Sequence, residues 1–273
     1  MAIRQNIGRF LESFDWYLNI RYSYFFLKFW KKKHASVDPI LKKEKAYYLN
    51  LLDGIKSDKK NIFDVGANEG FISDFFLEEK FKVIAIEPDK RNQRILESRF
   101  KKKKLFKLIK KGVSDQEKTA PFFIHKRNSA LNTFSPKWKN RVEGKNQSEG
   151  FSEEQNLVEL TTLDQIIKEE GLPNFIKIDV EGHELEVING LSLKIPLLSF
   201  EANFPEFKEE TFLIIKKLEQ ICGESRFNFS IDYKLIFPAF MDRLKLEKEL
   251  DKINDEVCLE IICKMSNYPH FFN

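Results

Sequence analysis

Cysteine is scarce in this chain: the 273 residues hold three, Cys222, Cys258 and Cys263. They are widely spaced, odd in number and form no CxxC pair. That excludes a disulfide framework and a clustered-thiolate redox or zinc motif, and the three read as reduced thiols of a cytoplasmic protein. No apolar run approaches the ~20 residues that a membrane-spanning helix needs. The start, Met1 to Arg9, has two arginines but neither an apolar core nor a small-residue cleavage site, so it does not read as a secretory signal. A charge excess is missing too. With 46 basic and 42 acidic residues the net charge is +4, too mild to call for nucleic acid as a partner. His183-Glu184 lacks a second histidine four residues on, which removes the zinc-protease motif.

What is present suffices for a buried core, since 42% of the residues are apolar. Residues 1–58 read as a helical extension and residues 59–273 as one α/β domain. In the extension, Ile3, Ile7, Phe10, Leu11, Phe14 and Leu18 recur at helical spacing. An aromatic-rich stretch follows and ends in Lys31-Lys32-Lys33. Residues 1–36 therefore admit two readings: a helix packed on the catalytic domain, or a peripheral membrane contact. Asp38-Pro39 reads as a helix start, Asp38 capping a helix that runs to Leu52.

From Asn61 the pattern becomes strand-helix alternation, giving seven strands in all. It predicts a mostly parallel seven-stranded sheet with helices on both faces. The first unit carries the densest signal. Ile62, Phe63 and Val65 form a strand, Gly66 and Gly70 supply a tight turn, and a helix follows whose free N–H groups face whatever lies over the turn. Ligands in such sheets bind at the carboxyl ends of strands, which here carry Asp64, Glu87, Ser114, Asp115, Asp179 and Glu201. Residues 126–156 are polar and read as a long substrate loop.

Glu87 stands 17 residues after Gly70, where a carboxylate accepts from two adjacent ribose hydroxyls. The turn is not GxGxxG, and Asn68 and Glu69 stand where a pyrophosphate would need bare backbone. A ligand with ammonium, carboxylate and sulfonium groups suits it better, with Asp64 beneath facing its positive end. That describes S-adenosyl-L-methionine.

The blocks Asp64-Val65-Gly66-Ala67-Asn68-Glu69-Gly70, Ile86-Glu87-Pro88-Asp89, Val113-Ser114-Asp115, Thr162-Leu163-Asp164 and Ile176-Lys177-Ile178-Asp179-Val180-Glu181-Gly182-His183-Glu184 resemble the FkbM family of class I methyltransferases. The last block is the specific one, and the likeness covers about residues 60–204. It implies a Rossmann-like fold and methyl transfer from S-adenosylmethionine, typically to an oxygen of a sugar, lipid-linked glycan or other small molecule. By position it implies that Asp64, Gly66, Asn68 and Gly70 line the methionine end, Glu87 holds the ribose, Ser114 and Asp115 lie by the adenine, and Asp179 faces the methyl group. The family has a small residue where His183 stands, so no role is carried over to it.

A hydroxyl acceptor needs a base or a metal. Asp179, Glu181 and His183 alternate, so on an extended segment they would share one side. Asp179, His183 and Glu201 are the expected catalytic residues, His183 having the intrinsic pKa of a base. Asp179, Glu201 and Asn203 offer oxygen ligands that would suit Mg2+, but strand-end carboxylates have simpler explanations, so no metal is expected. The run Lys101-Lys102-Lys103-Lys104 with Lys107, Lys110 and Lys111 keeps an RNA methyltransferase open as an alternative, as is a non-catalytic cofactor-binding partner. No Asn/Asp-Pro-Pro-aromatic motif of base-amine methyltransferases follows Ile178, which ranks a small-molecule or glycan acceptor above nucleic acid.

Overall fold

The computed structural model describes residues 37–53, 60–145, 150–153 and 156–265, with residues 17, 20 and 21. Apart from those three, the expectations for residues 1–36 lie outside the described residues. Among the described residues no helix is long and apolar enough to cross a membrane.

The first described helix, α1 (Val37–Leu52), starts at Val37, so Asp38 and Pro39 lie within its first turn. The chain then forms β1 (Asn61–Val65), α2 (Phe71–Glu78), β2 (Lys82–Ile86), α3 (Lys90–Phe100) and β3 (Phe106–Ile109). After β4 (Gly112–Val113) and β5 (Lys118–Phe122) come a 3-10 turn at Ser129–Leu131 and α4 (Pro136–Lys145). Next are β6 (Asn156–Thr161), α5 (Leu163–Glu170), β7 (Phe175–Ile178), α6 (Glu184–Asn189), β8 (Leu197–Phe204) and α7 (Lys208–Cys222). The chain closes with β9 (Ser225–Ile231), β10 (Lys234–Leu235), α8 (Arg243–Asp251) and β11 (Val257–Met265).

The main sheet has eight strands in the order β10-β9-β11-β8-β7-β1-β2-β3. The five from β3 to β8 are parallel, and β11 runs antiparallel between β8 and β9. This is the expected Rossmann-like arrangement with one more strand than the alternation predicts. The extra strand, β10, exists because Asp232 and Tyr233 adopt positive φ (49° and 59°), the backbone of a tight hairpin that folds two residues back on β9. A separate three-stranded sheet, β4-β6-β5, was not legible. The polar segment expected as an open loop instead contains the 3-10 turn and α4, pinned by a bridge between Phe123 and Thr133.

Strand alternation sorts the core onto two faces. Phe63, Ile176, Ile178, Leu198 and Phe200 point toward α5, α6 and α7. Ile62, Phe175, Leu197 and Ile262 point toward α1 and α2, meeting Tyr47, Tyr48, Leu51, Leu52 and Phe76. The extension is thus packed on the sheet at α1. Burial of Leu51 and Leu52, each 4% exposed, contributes about 1.5–3 kcal/mol apiece. The helix is also tied to the far strands: Tyr47 Oη lies 3.0 Å from Ser230 Oγ, and Tyr48 Oη donates to Glu260 at 2.9 Å.

Candidate active site

The turn after β1 is built by close approach. The amides of Gly66 and Ala67 both donate to the Ile86 carbonyl, at 3.0 and 3.2 Å. Gly66 has φ 82°, and a Cβ on it would lie 1.8 Å from the Asp179 carbonyl oxygen. Only glycine lets the ends of β1 and β7 meet there. Asn68 follows with φ 49° and donates its amide to Glu87 Oε2 at 2.7 Å, while the Asp89 amide donates to Oε1 at 2.8 Å. Glu87 is 4% exposed. Burial pushes its carboxyl up to about 8, and the two N–H donors offset part of that effect.

Over this turn lies a cleft enclosing about 600 Å³ including its open mouth. Gly66, Asn68, Glu87 and Asp179 line its polar side, and Ile86, Val113, Phe122, Ala130 and Phe134 form an apolar slot. The segment expected as a substrate loop thus contributes walls to this cleft. It is held there by Thr133 Oγ1, which donates to the Glu181 carbonyl at 2.7 Å.

Four residues expected at the cofactor do not reach the cleft lining. Asp64 is fully buried beneath the turn, accepting from Ser73 Oγ at 2.6 Å. Gly70 is a packing residue, because a Cβ there would lie 2.5 Å from Leu96 and 2.7 Å from Phe100. Ser114 is drawn off when β4 joins the second sheet: its amide donates to the Thr161 carbonyl at 2.8 Å and its hydroxyl lies 3.1 Å from His183 Nε2. Asp115 is exposed and paired with Lys118 at 2.9 Å, which lowers its pKa. The chain places Gly112 and Val113 at the slot instead.

His183 also differs from expectation. Glu181 and Gly182 have φ 55° and 85°, so the segment is not extended and the alternation breaks. His183 is directed behind the cleft wall, 5.6 Å from the Phe134 ring centre and bonded to Ser114. Burial, reinforced by Lys118, lowers its pKa to about 4, so it is neutral at neutral pH and weakly basic. The turn is braced by Glu184, whose carboxylate accepts from the amides of Val180 and Gly182 at 3.1 and 3.2 Å. Burial pushes that carboxyl up to about 8.

Asp179 and Glu201 do converge, at the ends of adjacent strands. Single oxygens of Asp179, Glu181 and Glu201 lie within 4.8 Å of one another. Lys177 Nζ, 6% exposed as a residue, donates to Asp179 at 2.9 Å. Burial alone would lower the lysine pKa, but Asp179 and Asp64 outweigh it and hold the ammonium charged. Glu201 accepts from Asn203 Nδ2 at 2.9 Å. Burial and then Asp179 push its carboxyl up to about 7. Asp179 also lines a second cavity, of about 590 Å³ with its mouth, bounded by Lys177, Glu201, Glu260 and α1.

Lys177, Glu184 and Glu260 had no assigned role in the sequence reading. Lys177 left one usable signal: a lysine between Ile176 and Ile178 inside a strand must find a carboxylate partner. Glu260 sits on a strand far along the chain, and its pairing with Glu201 across β8 and β11 is a matter of register.

The methyltransferase FkbM domain matches residues 64–227. No curated protein sequence matches the chain. Among solved structures, precorrin-6y C5,15-methyltransferase of Geobacter metallireducens is 9% identical with a TM-score of 0.43, over 81% of this chain and 87% of that one. A human methyltransferase 10 domain containing protein is 13% identical with a TM-score of 0.44, over 84% and 83%. The plantazolicin methyltransferase BpumL, solved with SAH and a monoazolic desmethylPZN analog, is 11% identical with a TM-score of 0.38, over 96% and 98%.

Proposed function

The chain belongs to the FkbM methyltransferase family, and from that premise we propose that it methylates a hydroxyl oxygen of a sugar, glycan or other small-molecule acceptor. It is an S-adenosylmethionine-dependent methyltransferase. The residues present suit that cofactor. Glu87, held by the Asn68 and Asp89 amides, lines the cleft and suits ribose hydroxyls. The slot of Ile86, Val113, Phe122 and Phe134 suits an adenine face. Gly66 and Asn68 would hold the methionine end. When bound, the cofactor supplies an activated methyl group on a sulfonium.

The observation that carries the acceptor reading is the pairing of Asp179 with Glu201, the latter pushed up to about 7. A base poised near neutrality suits removal of a hydroxyl proton as the new bond forms. Bound there, the cofactor would supply the methyl group to the acceptor oxygen and would leave as its thioether, and Glu201 would accept the hydroxyl proton. Lys177 holds Asp179 in place. His183 is left out of this step by its position and its lowered pKa.

The basic run does not form one face. Lys101 to Lys104 occupy the turn entering β3, at the end of the parallel sheet opposite the cleft. Lys107, Lys110 and Lys111 are paired with Glu170, Glu97 and Glu159. Both facts favour a non-nucleic acceptor. Labelled-methyl transfer to separated glycans, lipids and RNA tests this reading: label is expected as methyl ether on carbohydrate, and label confined to RNA overturns it.

A further inference from the structure

We propose that the second cavity is the acceptor subsite, and that it takes a hydroxyl-rich ring bearing no anionic group, such as a sugar without phosphate or carboxylate. This rests on the O-methylation reading above. The two cavities share Asp179, so a ligand in the second one adjoins the methionine end of the first. The second cavity opens on the α1 face of the sheet. Its floor is Lys177 from β7, Glu201 from β8 and Glu260 from β11. Glu44 and Tyr48 of α1 and Tyr233 of the β9–β10 hairpin close over them.

The chemistry of the walls selects the class. Among the described residues, Glu44, Asp179, Glu201, Asp232 and Glu260 face the cavity against one ammonium, Lys177. Carboxylates accept hydrogen bonds from ring hydroxyls, and the Lys177 ammonium, with donors beyond the one given to Asp179, donates to ring and hydroxyl oxygens. A phosphate or uronate would meet five carboxylates in a partly desolvated space and would be repelled. The side facing α1 is contributed by residues outside the family match at 64–227, including Glu44, Tyr48, Tyr233 and Glu260, whereas the cofactor cleft lies within it. The floor residues Lys177, Asp179 and Glu201 lie inside the match, so the cavity straddles its bounds.

Ligand-detected NMR on the full chain loaded with S-adenosylhomocysteine tests the assignment. The probes are neutral methyl hexopyranosides, hexose 6-phosphates and hexuronates. Neutral rings are expected to bind, with the anionic ones at least about tenfold weaker. The double variant Glu44→Gln, Tyr233→Phe is expected to weaken neutral-ring binding about tenfold, while calorimetry finds the S-adenosylhomocysteine affinity unchanged. Glu44→Gln alone provides a milder substitution with the same direction. Equal or tighter binding of anionic rings, no binding of any neutral ring, or indifference to both variants overturns the assignment. Binding here without methyl transfer to any bound ring would sink the O-methylation reading and leave the subsite standing. Methyl transfer to a hydroxyl that ignores both variants would do the reverse.

Discussion

Replacing Lys177 by Met tests the electrostatics on which the site depends. Among the described residues Lys177 is the single cation lining the second cavity, and its ammonium offsets Asp64, Asp179 and Glu260, all on or beside the same sheet face. Met fills the space of the aliphatic stem, so what is lost is mainly the charge. Removing one partner of a buried pair costs about 3–5 kcal/mol where the other charge stays ionised. The carboxylates have an escape, since they can bind a proton. Asp64 is already raised by burial with Lys177 pulling it down, so the substitution raises it further. A carboxyl whose folded pKa exceeds its unfolded value binds more protons in the folded state, and stability falls as pH rises between the two values. The stability gap between wild type and Lys177→Met is therefore smallest near about pH 5 and widens toward about pH 8, by up to about 1.4 kcal/mol per pH unit for each proton retained. Urea unfolding followed by circular dichroism across that range reads it directly. A gap that stays constant with pH, or a variant as stable as wild type at the alkaline end, would refute the idea that Lys177 offsets the burial of Asp64.

Four further outcomes are expected. Wild-type kcat should rise with pH through about 7, the value to which burial and Asp179 push Glu201, because the base must be deprotonated. Glu201→Gln should lower kcat about 10²–10⁴-fold and abolish that limb, leaving the calorimetric affinity for S-adenosylhomocysteine intact; a variant within a few-fold of wild type removes Glu201 as the base. Gly66→Ala must fit a methyl 1.8 Å from the Asp179 carbonyl oxygen at a φ of 82°. It should fold by circular dichroism yet bind S-adenosylhomocysteine about tenfold or more weakly, and unchanged affinity would contradict the close approach. Turnover should survive dialysis against EDTA within about twofold, since Lys177 already supplies countercharge to Asp179; loss on chelation with recovery on adding Mg2+ would convert the three carboxylates into a metal site.

The donor half was legible because its signals are local. The Gly66 turn, the Glu87 strand end and the Asp179 block each declare themselves within a few residues, and alternation fixes the parallel order around them. Errors arose where a neighbour in space decided the outcome. The family resemblance implies Ser114 beside the adenine, but β4 pairs with β6 and its hydroxyl lies against His183. Gly70 was read as ligand room, whereas Leu96 and Phe100 of α3 occupy that space. His183 was placed with Asp179 by alternation, and two positive-φ residues between them redirected it. The acceptor side was the least readable, since Tyr48 and Glu260 meet across 212 residues of chain and neither lies in a motif.

The position of β11 has a consequence for how the molecule is made. This strand, the last one described, does not lie at a sheet edge but between β8 and β9. During synthesis, the five parallel strands can assemble as soon as β8 has emerged, yet β8 then presents an unpaired border. Until β11 arrives, the nascent chain carries an open β edge next to the half-built methyl-transfer centre, the kind of border that recruits other chains. A chain cut before residue 257 would keep the cofactor cleft but lack Glu260 in the second cavity, so aggregation of such fragments should precede any loss of cofactor binding.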